Sequence, residues 1–183
     1  MWWLVAGLPL AAVLAVGGLH VFGPDGTAAA RGAGQADLGL PAGSRARLAD
    51  RMVTLLEQST MAWRLAHEHG LGSGATVVCA VDPFGVDPPG AATVAAVRTV
   101  YALHLCVVAE RGKGWDYSTK SSGPFAARLS EPAQLQFAEP GRGYPDRVRA
   151  LVPARYQERA VGVFTDRQAL VRLRQRFDAI AGR

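Results

Sequence analysis

A chain of 183 residues, 49% hydrophobic and 19% charged, has the make-up of a folded protein with a real core, which excludes a disordered one. The net charge of +5 is uneven: Met1 to Gly143 carries 11 basic and 11 acidic residues, and Tyr144 to Arg183 carries 9 arginines against 4 acids. Any preference for an anionic partner therefore belongs to the last segment.

The first element is Met1 to Phe22, which contains no Asp, Glu, Lys or Arg. As a helix it would span roughly 33 Å, enough to cross a hydrocarbon core, with Trp2 and Trp3 as interfacial anchors. The rival reading is a cleaved signal peptide. Its apolar run would be Leu4 to Leu19, followed by Gly23 and Pro24, with a small-x-small pattern at Ala28 and Ala30 that places cleavage near Ala30. No Lys or Arg precedes the run, which speaks against cleavage, whereas Pro9, Gly17, Gly18 and His20 interrupt a simple anchor. The expectation is an uncleaved single-pass anchor. A secreted chain is the alternative, and a buried helix of a soluble domain is the third reading. Both leading readings export the remainder of the chain.

Residues 23–43, rich in Gly and Ala, read as a flexible linker, and 44–183 as one extracytoplasmic domain. Ser44 opens a helix whose Leu48, Met52, Leu55, Leu56, Ser59, Ala62, Trp63 and Ala66 recur at three- and four-residue steps; Gly70 ends it. Thr76 to Asp82 is short, β-branched and bounded by Gly74 and Pro83, hence a strand. Pro83 to Gly90, with three prolines and two glycines, reads as a loop. A second strand starts at Arg98 and carries Val107 and Val108 before a turn at Gly112 to Gly114. Trp115 to Thr119, Phe125 to Leu129 and Gln134 to Glu139 follow as further strands. Pro145 suits a first helical position, Pro153 restarts that helix, and Thr165 with Gln168 has capping-box spacing before a final helix.

The expected fold is α+β: an N-terminal transmembrane helix, then a helix packed on an antiparallel sheet of about four strands, in two layers, with two or three C-terminal helices. In order of elements the domain resembles the cystatin-like and nuclear-transport-factor-like cone folds, a likeness of layout that carries no function. In composition and in its leader–linker–domain layout the chain is similar to the small anchored or secreted proteins of GC-rich actinobacteria. Its 18 arginines against 2 lysines fit that coding bias. No function travels with that resemblance either.

Cys79 and Cys106 lie in two strands that an antiparallel pairing would bring together, and in an exported domain they are expected to form a structural disulfide. His104 shares strand parity with Cys106 and Arg98; as a mid-strand histidine it is read first as a hydrogen-bonded sheet residue and second as a catalytic group. Asp82, Asp87 and Asp116 could meet at strand ends as a hydrolytic carboxylate pair, although Asp82 and Asp87 each precede proline and suit turns. His67 and His69 are two apart on a helix and point away from each other, so they make no metal site. Ser73 lacks the nucleophile-elbow glycines, and Tyr117 stands where a Ser-x-x-Lys motif ending at Lys120 needs serine. Arg167, Arg172, Arg174 and Arg176 surround the apolar seam of the last helix and are the candidate contacts for anionic lipid or envelope polymer. Nucleic acid is a poorer partner for an exported chain without a binding motif. No cofactor is expected.

These readings favour a membrane-tethered extracytoplasmic interaction domain. The alternatives are an exported hydrolase using His104 with a nearby acid, and a cytoplasmic-facing binder of nucleic acid or another anionic surface.

Overall fold

The structure is a computed structural model that describes Leu38, Leu40, residues 42–67 and residues 74–182. All belong to one compact unit of the chain, Gly34–Arg183. The leader Met1 to Phe22, the cleavage position Ala30, His69 and the expected helix end at Gly70 lie outside the described residues. Among the described residues no helix is long and apolar enough to cross a membrane.

The domain is α+β. Four strands, β1 (Thr76–Asp87), β2 (Thr99–Ala109), β3 (Lys120–Arg128) and β4 (Gln134–Phe137), form an antiparallel meander in the order β1-β2-β3-β4. Helices α1 (Ala42–Glu57) and α2 (Thr60–His67) precede the sheet; α3 (Tyr144–Leu151), the short α4 (Gln157–Ala160) and α5 (Arg167–Ala181) follow it.

The period-2 alternation of the strands sorts their side chains onto two faces. One face presents Cys79, Val81, Val86, Val100, Ala102, Cys106, Phe125 and Ala127 to the α1 stripe Leu48, Met52 and Leu56, all three fully buried. Leu38 and Leu40, which the sequence places in the linker, are buried in the same core. The other face presents Val78, Ala80, Val107 and Ala109 to Ala169, Leu173, Phe177 and Ala181 of α5, with Trp115 edge-on to Phe177 at 5.1 Å. Farther along it, Phe84 and Leu103 meet Val148, Val152 and Ala160. Full burial of a Leu or Phe contributes about 1.5–3 kcal/mol, so each face anchors its helices independently. Helices thus cover both faces, which corrects the two-layer expectation to three layers. The C-terminal helices carry apolar seams that require a sheet face of their own.

Four local expectations are corrected. The first helix breaks at Gln58–Ser59: the Ser59 hydroxyl caps α2 by accepting from Ala62 N–H at 3.2 Å, and Trp63 turns out to solvent at 60% exposure. The supposed loop from Pro83 is mostly strand, because β1 runs on to Asp87 through a bulge between Pro83 and Gly85. Pro83 is tolerated there because it sits on an edge strand with its missing N–H directed away from β2, as the pairing alternation requires. Trp115 to Tyr117 forms a 3-10 turn rather than a strand, held by the Lys120 ammonium on the carbonyls of Trp115 and Ser118. The cap of α5 is Asp166, accepting from Ala169 N–H at 2.9 Å, in place of the Thr165 capping box.

Candidate functional site

Cys79 and Cys106 stand directly opposite each other in β1 and β2, with Cα atoms 4.1 Å apart, and form a disulfide. Both are buried under α1. The bond joins two already adjacent strands and is shut off from solvent, so its part is structural.

His104 lies two residues before Cys106 on the same face, but farther toward the sheet interior, opposite Val81 in β1 and Gly123 in β3. Its ring is edge-on to Phe125 at 5.7 Å and to Phe137 at 5.5 Å. Only 4% of the residue is exposed. Nε2 reaches the Ser121 hydroxyl at 3.4 Å, and Nδ1 is buried with no hydrogen-bond partner. Burial drives its pKa down to about 4, against a smaller opposing pull from the Gly123 backbone. The imidazole is therefore neutral at physiological pH.

This ring forms part of the floor of a cleft of about 570 Å³ whose other walls include Met61, Arg64, Ser121, Phe137, Glu139 and Tyr144. Gly123 lines the cleft with a φ of +151°, a conformation that disfavours other residues, and a Cβ there would meet the Tyr144 hydroxyl at an ordinary contact distance of 3.6 Å. Arg147 sets the rim by donating to four backbone carbonyls of the Glu139–Arg142 loop, from 2.8 Å (Glu139 and Arg142) to 3.2 Å (Pro140 and Gly141). A second cleft of about 600 Å³, lined by Leu55, Pro132, Ala133 and Leu135, shares Met61, Arg64, Phe137 and Glu139 with the first. The two run together along β4.

The other expected site residues lie elsewhere. Asp82 pairs with Leu103 and so occupies the sheet face opposite His104. It is 2% exposed. Its Oδ2 accepts from Thr165 N–H at 2.6 Å, the Thr165 hydroxyl at 2.8 Å and Asp166 N–H at 3.3 Å, with the Arg159 guanidinium 3.9 Å away. That carboxylate fastens the turn into α5 to the sheet. Asp116 is exposed in the 3-10 turn at the Ala109 end of the sheet, whereas Asp87 lies at the Thr99 end beside Arg98 and Arg155. The three aspartates do not converge.

All four α5 arginines are exposed. Arg174 is held by Asp178 at 2.9 Å and lies over the Trp115 ring; Arg176 is held by Glu57 at 2.8 Å. Arg167 and Arg172 make no ion pair among the described residues. His67 folds back on its own helix, stacked on Trp63 at 4.6 Å with Nδ1 2.7 Å from the Trp63 carbonyl oxygen. Among the described residues no three His, Cys, Asp or Glu side chains cluster as metal ligands.

Sequence reasoning singles out His104 but misses Arg64, Ser121, Phe137, Glu139 and Tyr144 as its neighbours. They come from four separate segments and share no spacing, so only the meander order brings them together. No family model, curated protein or solved structure matches this chain. The likeness to cone folds and to anchored actinobacterial proteins therefore stays one of layout and composition.

Proposed function

We propose that this chain is a membrane-tethered extracytoplasmic interaction domain whose binding face is the cleft over His104. The carrying observation is the cleft itself: an aromatic and apolar floor, a few inward polar groups and a rim locked by Arg147, which is the usual make-up of a ligand site. The buried disulfide supports the exported setting, where such bonds persist. The leader Met1 to Phe22 supplies the tether, and residues leading up to Leu38 join it to the domain. Lipid or anionic envelope polymer is a lesser partner here, because Arg174 and Arg176 are engaged in pairs within the domain.

The test is protease accessibility of the domain in intact cells, with intact-mass measurement, combined with a photo-crosslinking residue at Ser122, which is exposed at the cleft. The expected result is a membrane-associated chain that retains its leader, is degraded from outside, and forms an adduct at Ser122. A domain protected in intact cells, or adducts only from positions away from the cleft, would sink the reading.

The hydrolase reading has one supporting observation: Glu139 is a carboxylate lining the same cleft as His104. It requires substrate turnover that is lost in both His104→Gln and Glu139→Gln.

A further inference from the structure

The two edges of the sheet are treated differently, and the difference follows from the alternation of an antiparallel ladder. Directly opposed residues alternate between exchanging both backbone hydrogen bonds and exchanging none. Cys79 sends its N–H to Glu57 Oε1 at 2.8 Å and its carbonyl toward Arg176 at 3.5 Å, so its backbone points away from β2. Val86, past the bulge, has its carbonyl taken by the Tyr156 hydroxyl at 3.1 Å. Side chains thus occupy the β1 edge at Cys79 and Val86, whereas Val77 and Val81, which point the same way, have no hydrogen bond to their outward groups among the described residues.

The same alternation carried across the sheet fixes the polarity of β4. If Cys79 and Cys106 exchange no bonds, Cys106 bonds Ser121, and so do the pairs two residues along in each direction, down to Ala102 with Phe125. The flanking bonds Val108 N–H to Thr119 O and Leu129 N–H to Arg98 O fall on that phase. Phe125 then faces β2, its partner Phe137 exchanges no bond with it, and Leu135 and Phe137 direct their N–H and C=O groups outward. No hydrogen bond among the described residues reaches those groups. The outward run ends at Glu139, whose carbonyl Arg147 occupies. The strand Gln134–Phe137 has no charged residue and no proline, and of the usual guards of an exposed edge it keeps its short length of four residues.

Beside this open edge lie the two clefts, which share Met61, Arg64, Phe137 and Glu139. An edge whose main-chain groups are free among the described residues, flanked by side-chain-sized recesses, is the arrangement that receives an added strand. Arg64 is exposed, lines both recesses and makes no ion pair among the described residues. Glu139, also exposed and lining both recesses, is the opposite charge there, so Arg64 complements an acidic side chain of the incoming segment only at its own position.

From this we infer that the β4 edge binds an extended polypeptide segment as a fifth strand. Its backbone pairs with Leu135 and Phe137, an apolar side chain enters the His104 cleft, and an acidic residue meets Arg64. The inference rests on the proposed binding role of the cleft and names its ligand class.

The test uses the purified full chain in detergent micelles and a pool of capped random hexapeptides, with recovered peptides resynthesised and titrated by fluorescence anisotropy. The expected peptides alternate apolar and polar residues and include an acid. N-methylation of alternate backbone amides weakens binding at least tenfold, and Arg64→Glu weakens it severalfold. Leu135→Pro removes one outward donor without touching the β3–β4 ladder and has the same effect as N-methylation. Should that variant fold poorly, the N-methylated peptides carry the test on the unaltered chain. Failure to recover any peptide, or binding indifferent to N-methylation, overturns the inference. Concentration-dependent self-association that blocks the peptides and disappears in Leu135→Pro also overturns it, by making a second copy the occupant. A Ser122 adduct in cells without peptide binding would leave the cleft reading standing and remove only the added strand.

Discussion

Glu57 and Arg176 form a two-pronged ion pair, 2.8 and 2.9 Å, that joins α1 on one face of the sheet to α5 on the other across the outer edge of β1. The same carboxylate accepts the Cys79 N–H. One side-chain pair therefore satisfies an edge-strand donor, lies close to its carbonyl, and covers the β1 edge at Cys79. The arginine is held in its charged form chiefly by its hydrogen bonds to Glu57.

Removing that carboxylate leaves the Cys79 donor without its partner. Glu57→Ala is expected to cost about 1–2 kcal/mol, since the arginine stays half-exposed and water screens part of the loss. Glu57→Gln, which keeps an acceptor for Cys79, costs about half as much. Urea unfolding of both variants checks the order, and the gap between them should narrow in high salt.

The disulfide closes a separation of 27 residues, which by chain entropy corresponds to about 3.5 kcal/mol. The double variant Cys79→Ala, Cys106→Ala should lose roughly that amount in equilibrium unfolding. Because both sulfurs are buried, mild reductant should leave the native domain oxidised and act only once urea opens it.

His104 makes stability depend on acid. Its folded pKa of about 4 lies below the ordinary value of 6.5 because of burial. Between those values the unfolded chain binds the proton and the folded one does not. This contribution is full above pH 6.5, falls as pH drops through the window, and levels off below pH 4. The loss is on the order of 3 kcal/mol. His104→Phe, which fits beside Phe125 and Phe137, should flatten the unfolding free energy across that window relative to the parent chain.

Asp82 is a buried side chain that accepts three hydrogen bonds from the segment that opens α5. Asp82→Ala is expected to cost about 3 kcal/mol and to raise amide exchange from Thr165 into the first turn of α5. Loss of binding or turnover without that loosening would instead give Asp82 a direct functional role.

The elements with strong local signals are legible in the sequence. The α1 stripe, the β2 run, the Cys79–Cys106 pairing and the proline-opened α3 follow from periodicities and local constraints, which act within a few residues. Residues 83–87 read as a loop because proline and glycine count there as breakers. In the fold, Pro83 is harmless on an outward-facing edge position, and Gly85 is needed because a Cβ would fall 2.6 Å from the ring of Tyr156, which is remote in the chain. No local rule contains that neighbour.

By itself the sequence determined the class of the domain, its disulfide and the apolar leader that motivates a membrane tether, because composition and period report how much surface each segment must bury. Tertiary structure alone decided that helices occupy both faces, that His104 and Asp82 stand on opposite sides of the sheet, and that α5 is tied to the β1 edge through Glu57 and Arg176. It likewise decided that side chains take outward backbone groups of β1 at Cys79 and Val86 and none of β4 at Leu135 and Phe137 among the described residues. These relations depend on strand order and on the phase of the hydrogen-bond ladder, which no segment encodes alone. A shift of one residue in strand register would turn His104 or Asp82 to the other face of the sheet.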